Sequence, residues 1–149
     1  MGYISDIRKM VGHIPLMACA AGALIMNEKG QVLLQRRSDD GNWGNPGGSM
    51  DLGETAEETL QREIFEETGL TITHANFFKM YSGKDGYVKY PNGDEVYYVN
   101  VIYIVDGYEG MVKINDNESL ELKFFDIDAI PEKRTDLLNL IVRDLKKGE

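Results

Sequence analysis

With a single cysteine, Cys19, the 149-residue chain can form neither an intrachain disulfide nor a cysteine-only zinc site. That economy fits a reducing compartment, and the cytoplasm is the expected location. Cys19 itself lies among small apolar residues, where a free thiol is expected to be core. Proline is also sparse, at four residues, and there is no Pro/Ser-rich stretch and no internal repeat, so one domain over residues 1–149 is expected. Long apolar runs are missing as well. The longest, residues 14–26, contains Pro15 and Gly22 and reaches about two-thirds of a membrane span. Residues 1–11 lack the uninterrupted apolar core of a secretory signal. Finally, positive charge is scarce: 16 Lys and Arg face 25 Asp and Glu, a net charge of -9. No long-range attraction to a nucleic-acid polymer or an anionic membrane is expected, and an anionic substrate would need cations to mediate its binding.

What the sequence does contain is well punctuated. Residues 16–26 are small and apolar, Asn27, Glu28, Lys29 and Gly30 supply a turn, and residues 31–35 resume an extended pattern, which predicts two neighbouring strands. Residues 39–48 are too rich in Gly, Asn and Pro for a regular element and predict a loop. Thr55 and Glu58 form a capping box, Ala56, Leu60 and Ile64 recur at helical spacing, and Gly69 supplies a stop, so a helix of about 14 residues is expected. Asn92-Gly93 between two extended runs predicts a type I′ hairpin, with Tyr90 facing Glu95 and Val88 facing Tyr97. Residues 96–105 are almost continuously apolar, broken mainly by Asn100, as expected of the sheet's centre. A short strand at 122–125 and an amphipathic helix over 135–147 close the chain. These elements predict an α/β fold, a three-layer α/β/α sandwich around a mixed sheet. The segment before Leu16 offers an added edge strand across a homodimer.

On the central helix, Glu63 precedes Glu66 and Glu67 by three and four positions, so the three carboxylates share a face. They crowd the C-terminal half, where the helix dipole disfavours negative charge, and Arg62 is the local counterion. A solvated acidic face is the competing reading. A divalent cation would relieve the repulsion, and oxygen donors without a His or Cys cluster select a hard ion, Mg²⁺ or Mn²⁺, which also binds phosphate oxygens. Just ahead, Gly47-Gly48 allows the backbone to approach whatever the ion holds.

The string GSMDLGE at 48–54, seven further residues, and REIFEETGL at 62–70 resemble the Nudix box, G-x5-E-x7-R-E-U-x-E-E-x-G-U with U bulky and apolar, at every defined position. The preceding WGNPGG at 43–48 is similar to the family's entry into the box, with Asn45 where an apolar residue is common. The resemblance implies an α/β/α Nudix fold and hydrolysis of a nucleoside diphosphate linked to another moiety X, such as ADP-ribose, a nucleotide sugar or a nucleoside triphosphate. It implies Glu63, Glu66 and Glu67 as metal-binding carboxylates, the main-chain oxygen of Gly48 as a further ligand, Arg62 as the fork that holds a carboxylate, and Glu54 as a supporting residue. The family draws its general base from the box or from a loop before a late strand. Here that loop is residues 115–121, and Glu118 is the choice, with Glu121 and Glu63 as rivals; the catalytic set is then Glu63, Glu67, Glu118 and Arg62.

For substrate grip, Arg36 and Arg37 end the second strand, and since neighbours in a strand face opposite ways, at most one clamps a phosphate. Tyr81, Tyr87, Tyr90, Tyr97, Tyr98 and Tyr103 are expected mainly to pack, with one available to stack on a base. The expected partner is a small-molecule nucleotide. The alternative is a non-catalytic module that binds a nucleotide metabolite. An isomerase using Cys19 and a cap-removing enzyme acting on RNA are both disfavoured, the latter by the acidic balance.

Overall fold

The structure, a computed structural model, describes residues 2–114 and 118–148. Its elements run α1 (Tyr3–Val11), β1 (Leu16–Ile25), β2 (Val32–Arg37), β3 (Trp43–Gly44), β4 (Gly47–Ser49), α2 (Ala56–Thr68), β5 (Thr71–Tyr81), β6 (Tyr87–Lys89), β7 (Glu95–Glu109), β8 (Ser119–Phe125) and α3 (Asp136–Lys147). The apolar run at 96–105 does form the middle of the larger sheet: β7 pairs in parallel with β1 from Leu16↔Val96 to Ile25↔Val105, and antiparallel with β5 and β6. The order is β4-β1-β7-β5, and a smaller sheet runs β3-β2-β8.

Alternation along the strands decides which helix each residue meets. Ala21, Ala23 and Ile25 of β1 pack with Tyr103 and Val105 of β7 against Leu60 and Ile64 of α2. Leu24 and Ile102 point the other way, into a cluster with Leu138, Ile141 and Val142 of α3. Each large apolar side chain sealed in these clusters contributes about 1.5–3 kcal/mol. The expected α/β/α layering is therefore present. Both helices start where expected: Thr55 accepts from the Glu58 amide while the Glu58 carboxylate accepts from the Thr55 amide, and Thr135 accepts from the Leu138 amide. Gly69 ends α2 in the left-handed conformation that only glycine adopts at little cost. No helix among the described residues is long and apolar enough to cross a membrane.

Several expectations need correction. The strands β1 and β2 share no ladder: a single bridge, Met26↔Val32, forms just past the end of β1, and the two strands belong to different sheets. The two edges of β1 are taken by β7 and β4, so β2 pairs with β8 instead. The expected loop at 39–48 contains β3 and β4, because Trp43 exchanges backbone hydrogen bonds with Lys133 and Thr135, and Gly47–Ser49 joins the edge of β1. The hairpin is one residue out of the expected register, with Lys89↔Glu95 and Val88↔Val96. Among the described residues no non-glycine has positive φ, so Asn92 cannot form a type I′ turn; Gly93 alone is left-handed, and the loop gains a residue. Cys19 is exposed rather than core, since α2 covers that face of β1 only from Ala21 onward. The N-terminal segment is a helix, not an edge strand. Arg8 fastens it by donating to the carbonyls of Gly12, Ile14 and Glu95 at 2.8, 2.6 and 2.7 Å, and the Tyr3 amide donates to Asp51.

Candidate active site

Arg62 is the hub of the acidic cluster. Its guanidinium donates to both oxygens of Glu54 at 2.7 and 2.9 Å, to Glu63 Oε2 at 2.6 Å, to Glu66 Oε1 at 3.3 Å and to the Ser49 carbonyl at 3.1 Å. Asp51 lies 3.6 Å away as a further counterion. A planar five-donor fork can serve so many acceptors at once, which a lysine cannot. Glu54 has two more donors, the Asp51 amide and the Thr59 hydroxyl, both at 2.9 Å. Glu67 turns from the hub to the sheet and accepts from the Gly47 amide at 2.8 Å, at only 4% exposure. Glu63 lies against Gly48 so closely that a Cβ there would overlap its carboxylate. The strand β4 thus touches two of the acids through a pair of glycines, and the third residue, Ser49, touches the arginine that holds them.

The surroundings set different proton affinities. Hydrogen bonds from Arg62, chiefly, hold the Glu54 carboxyl down from 4.5 to about 2, against a desolvation effect of opposite sign. Burial pushes the Glu63 carboxyl up, Arg62 partly offsets this, and the charges of Glu66 and Glu118 add to the rise. Because the folded Glu54 pKa is depressed, its stabilising contribution is complete above about pH 4.5 and is lost as pH falls toward 2. Urea unfolding between about pH 6 and pH 3 is expected to show a steep loss of stability in the wild type and a shallower one in Glu54→Gln; equal slopes would remove Glu54 from the account.

The other side of β4 lines a cavity of about 380 Å³. Its floor is Ala20 and Gly22 of β1 with Tyr98 and Asn100 of β7, and its walls carry Arg37, Lys89, Tyr87, Tyr90 and Arg134. Of the two strand-end arginines, Arg37 lines it, braced by two hydrogen bonds to Asp39 at 3.2 and 3.1 Å, while Arg36 pairs with Glu121 at 3.4 Å on the sheet's other side. Three of the six tyrosines, Tyr87, Tyr90 and Tyr98, reach the cavity; Tyr81 and Tyr103 are anchored to Asp144 and Glu57. Glu118 is exposed, its carbonyl accepts from the Ser38 amide, and its charge reaches Glu63. The remainder of its loop, residues 115–117, lies outside the described residues. Sequence reasoning missed Lys89, Arg134 and the role of Asn100 as cavity floor. Nothing local marks Arg134, which comes to the site because Trp43 pairs with the backbone on either side of it.

For a divalent cation the donor chemistry fits: carboxylate oxygens and a bare glycine backbone, with no sulfur or imidazole, suit a hard ion. Among the described residues, however, no three His, Cys, Asp or Glu side chains are already arranged to hold one. Glu63 and Glu66 face Arg62, and Glu67 faces the Gly47 amide.

Comparison with known proteins decides the family, since the NUDIX domain profile matches residues 17–144. The chain belongs to the NUDIX family. It is 32% identical over 117 residues to the ADP-ribose pyrophosphatase of Methanocaldococcus jannaschii, covering 77% of this chain and 65% of that protein. It is also 46% identical over 55 residues to the RNA pyrophosphohydrolase of Shewanella baltica, covering 37% of this chain and 32% of that one. The chain thus spans less than two thirds of the length of these curated relatives. Among solved structures, the MutT NUDIX hydrolase of Burkholderia pseudomallei superposes with a TM-score of 0.74 at 26% identity, covering 85% of this chain and 96% of that one. The box-like stretch from Gly48 to Leu70 falls inside the matched residues, and its Glu54, Glu63 and Glu66 are the acids gathered on Arg62.

Proposed function

We propose that this NUDIX protein, read as one domain over residues 1–149, hydrolyses the anhydride linkage of a nucleoside diphosphate joined to a further group, with ADP-ribose-like nucleotides as its first candidates. The supporting observation is the position of β4: one side of Gly47–Ser49 meets Glu67, Glu63 and Arg62, and the other lines a cavity of nucleotide size. A diphosphate lying along the glycine pair reaches both. Glu63, Glu66, Glu67 and the main-chain oxygen of Gly48 would hold Mg²⁺ or Mn²⁺, which, when bound, neutralises the diphosphate and lowers the pKa of a coordinated water. Arg62 keeps Glu63 and Glu66 in place, and Glu54 in turn fixes Arg62. Arg37, with Lys89 and Arg134, offers positive charge to the phosphates. Glu118, exposed and within electrostatic reach of Glu63, takes the proton from the attacking water. The similarity to an ADP-ribose pyrophosphatase extends over most of the chain, and the net charge of -9 disfavours a polymeric nucleic acid.

A screen of ADP-ribose, nucleotide sugars and nucleoside triphosphates is expected to show phosphate or nucleoside monophosphate release in Mg²⁺ and none after EDTA. Tight nucleotide binding without turnover in either Mg²⁺ or Mn²⁺ would replace the hydrolase with a binding module.

A further inference from the structure

Asn100 sits mid-way along β7, paired with Ala20 of β1 and Tyr81 of β5, and is 8% exposed. Its side-chain amide makes no hydrogen bond to any described residue, yet no buried polar side-chain atom among those residues is left sealed without a partner. Both statements hold only if the amide opens into the cavity that Asn100 lines. Gln35 is the contrast: at 3% exposure its amide is satisfied internally by Ser119 Oγ at 2.5 Å. An unpaired amide in the central strand of an apolar sheet weakens the fold, so a residue placed there for packing alone would be aliphatic or partnered.

The neighbourhood of Asn100 is cleared for a flat ligand. Ala20 and Gly22 keep the β1 part of the floor low, and a Cβ on Gly22 would run into the Asn45 amide. Tyr87, Tyr90 and Tyr98 supply aromatic surface, and the Tyr90 and Tyr98 hydroxyls fix each other at 2.7 Å. An asparagine amide presents a donor and an acceptor side by side, the complement of the adjacent acceptor and donor on a nucleobase edge. We propose that Asn100 is a specificity-determining residue that reads the hydrogen-bonding edge of the substrate's nucleobase, held in this cavity with the diphosphate directed toward Gly47–Ser49. The assignment builds on the hydrolase reading above.

The test measures binding, so that it stands apart from turnover. Calorimetric Kd values for AMP, GMP, CMP, UMP and the base-free ribose 5-phosphate are compared between wild type and Asn100→Leu. The wild type is expected to bind its preferred nucleotide at least about tenfold more tightly than ribose 5-phosphate, and the variant to lose that gain with ribose 5-phosphate affinity unchanged. Thermal melting adds a readout that a structural role would reverse: because the amide has no hydrogen-bond partner among the described residues, Asn100→Leu should melt no lower than wild type. An undiminished base preference in the variant, or a lowered melting temperature with ribose 5-phosphate binding lost as well, overturns the proposal. The smaller Asn100→Ser variant gives the same comparison of base preference should leucine not fit. Turnover in the wild type with base preference intact in the variants removes this inference alone. Base preference that disappears in the variants of a protein without turnover removes the hydrolase reading alone.

Discussion

Glu67→Gln is expected to slow turnover in Mg²⁺ by at least about 100-fold while leaving the protein as stable as wild type or slightly more so. The two effects separate because the side chain has two tasks. Its Oε1 accepts from the Gly47 amide at 2.8 Å, and glutamine retains an oxygen of the same shape for that bond. What glutamine removes is a negative charge at 4% exposure, whose burial the fold must otherwise offset. Loss of rate at constant or improved stability is the signature of a group retained for chemistry. Glu57→Gln serves as the control, since Glu57 lies on the same helix but accepts from the Tyr103 hydroxyl at 2.8 Å and touches none of the cluster. Initial rates and melting curves of the two variants decide the matter; a Glu67→Gln protein within about threefold of wild type would take Glu67 out of the metal set.

Arg62→Met should do the reverse and damage both properties. Methionine keeps much of the aliphatic bulk but removes the guanidinium hydrogen bonds to Glu54, Glu63, Glu66 and the Ser49 carbonyl. With the guanidinium 29% exposed, part of the charge is screened by solvent, so the expected loss is about 2–4 kcal/mol, somewhat below that for a fully buried pair. Activity falls as well, because the acids are no longer held in one geometry. Acid supplies an internal check: the stabilisation that Arg62 gives Glu54 in the wild type is complete above about pH 4.5 and is lost as pH falls toward 2. Urea titrations should therefore show the stability gap between the two proteins narrowing as pH falls. Arg62→Lys, with the charge but not the fork, is expected to recover only part of it. A gap of under about 0.5 kcal/mol at neutral pH would mean that the cluster is held by something other than Arg62.

The parts of this architecture that were legible in the sequence are those written in local chemistry. Thr55, Glu58 and Gly69 bound α2 because caps are satisfied within one turn of the chain. Glu63 and Glu66, three apart, both accept from Arg62 as their spacing on a helix suggests, whereas Glu67 turns to the Gly47 amide, a contact that the spacing does not announce. Register was harder: Asn92-Gly93 suggested a two-residue turn, but Pro91 joins the loop and only Gly93 has positive φ, so each side chain on one arm pairs one place away from expectation. Competition for strand edges was invisible, since whether β2 pairs with β1 depends on β4 and β7 having already occupied it. The N-terminal helix depends on Arg8 reaching Glu95, a contact across 87 positions that no local pattern announces. Asn100 was visible as an interruption in an apolar run, but its place in the recess, without a hydrogen bond to any described residue, needs the three-dimensional arrangement.

The two faces of the central sheet have a consequence for how such a protein changes. Box acids hang from α2 on one side, and the floor residues Tyr98 and Asn100 share the orientation of Ile102 toward α3 on the other. The Gly47–Ser49 strip belongs to both. Substitutions that reshape the recess away from its basic residues can therefore accumulate without disturbing the acids, so a library varied at Asn42, Tyr87, Tyr98 and Asn100 is expected to change which nucleotide binds while the cluster on α2 stays in place.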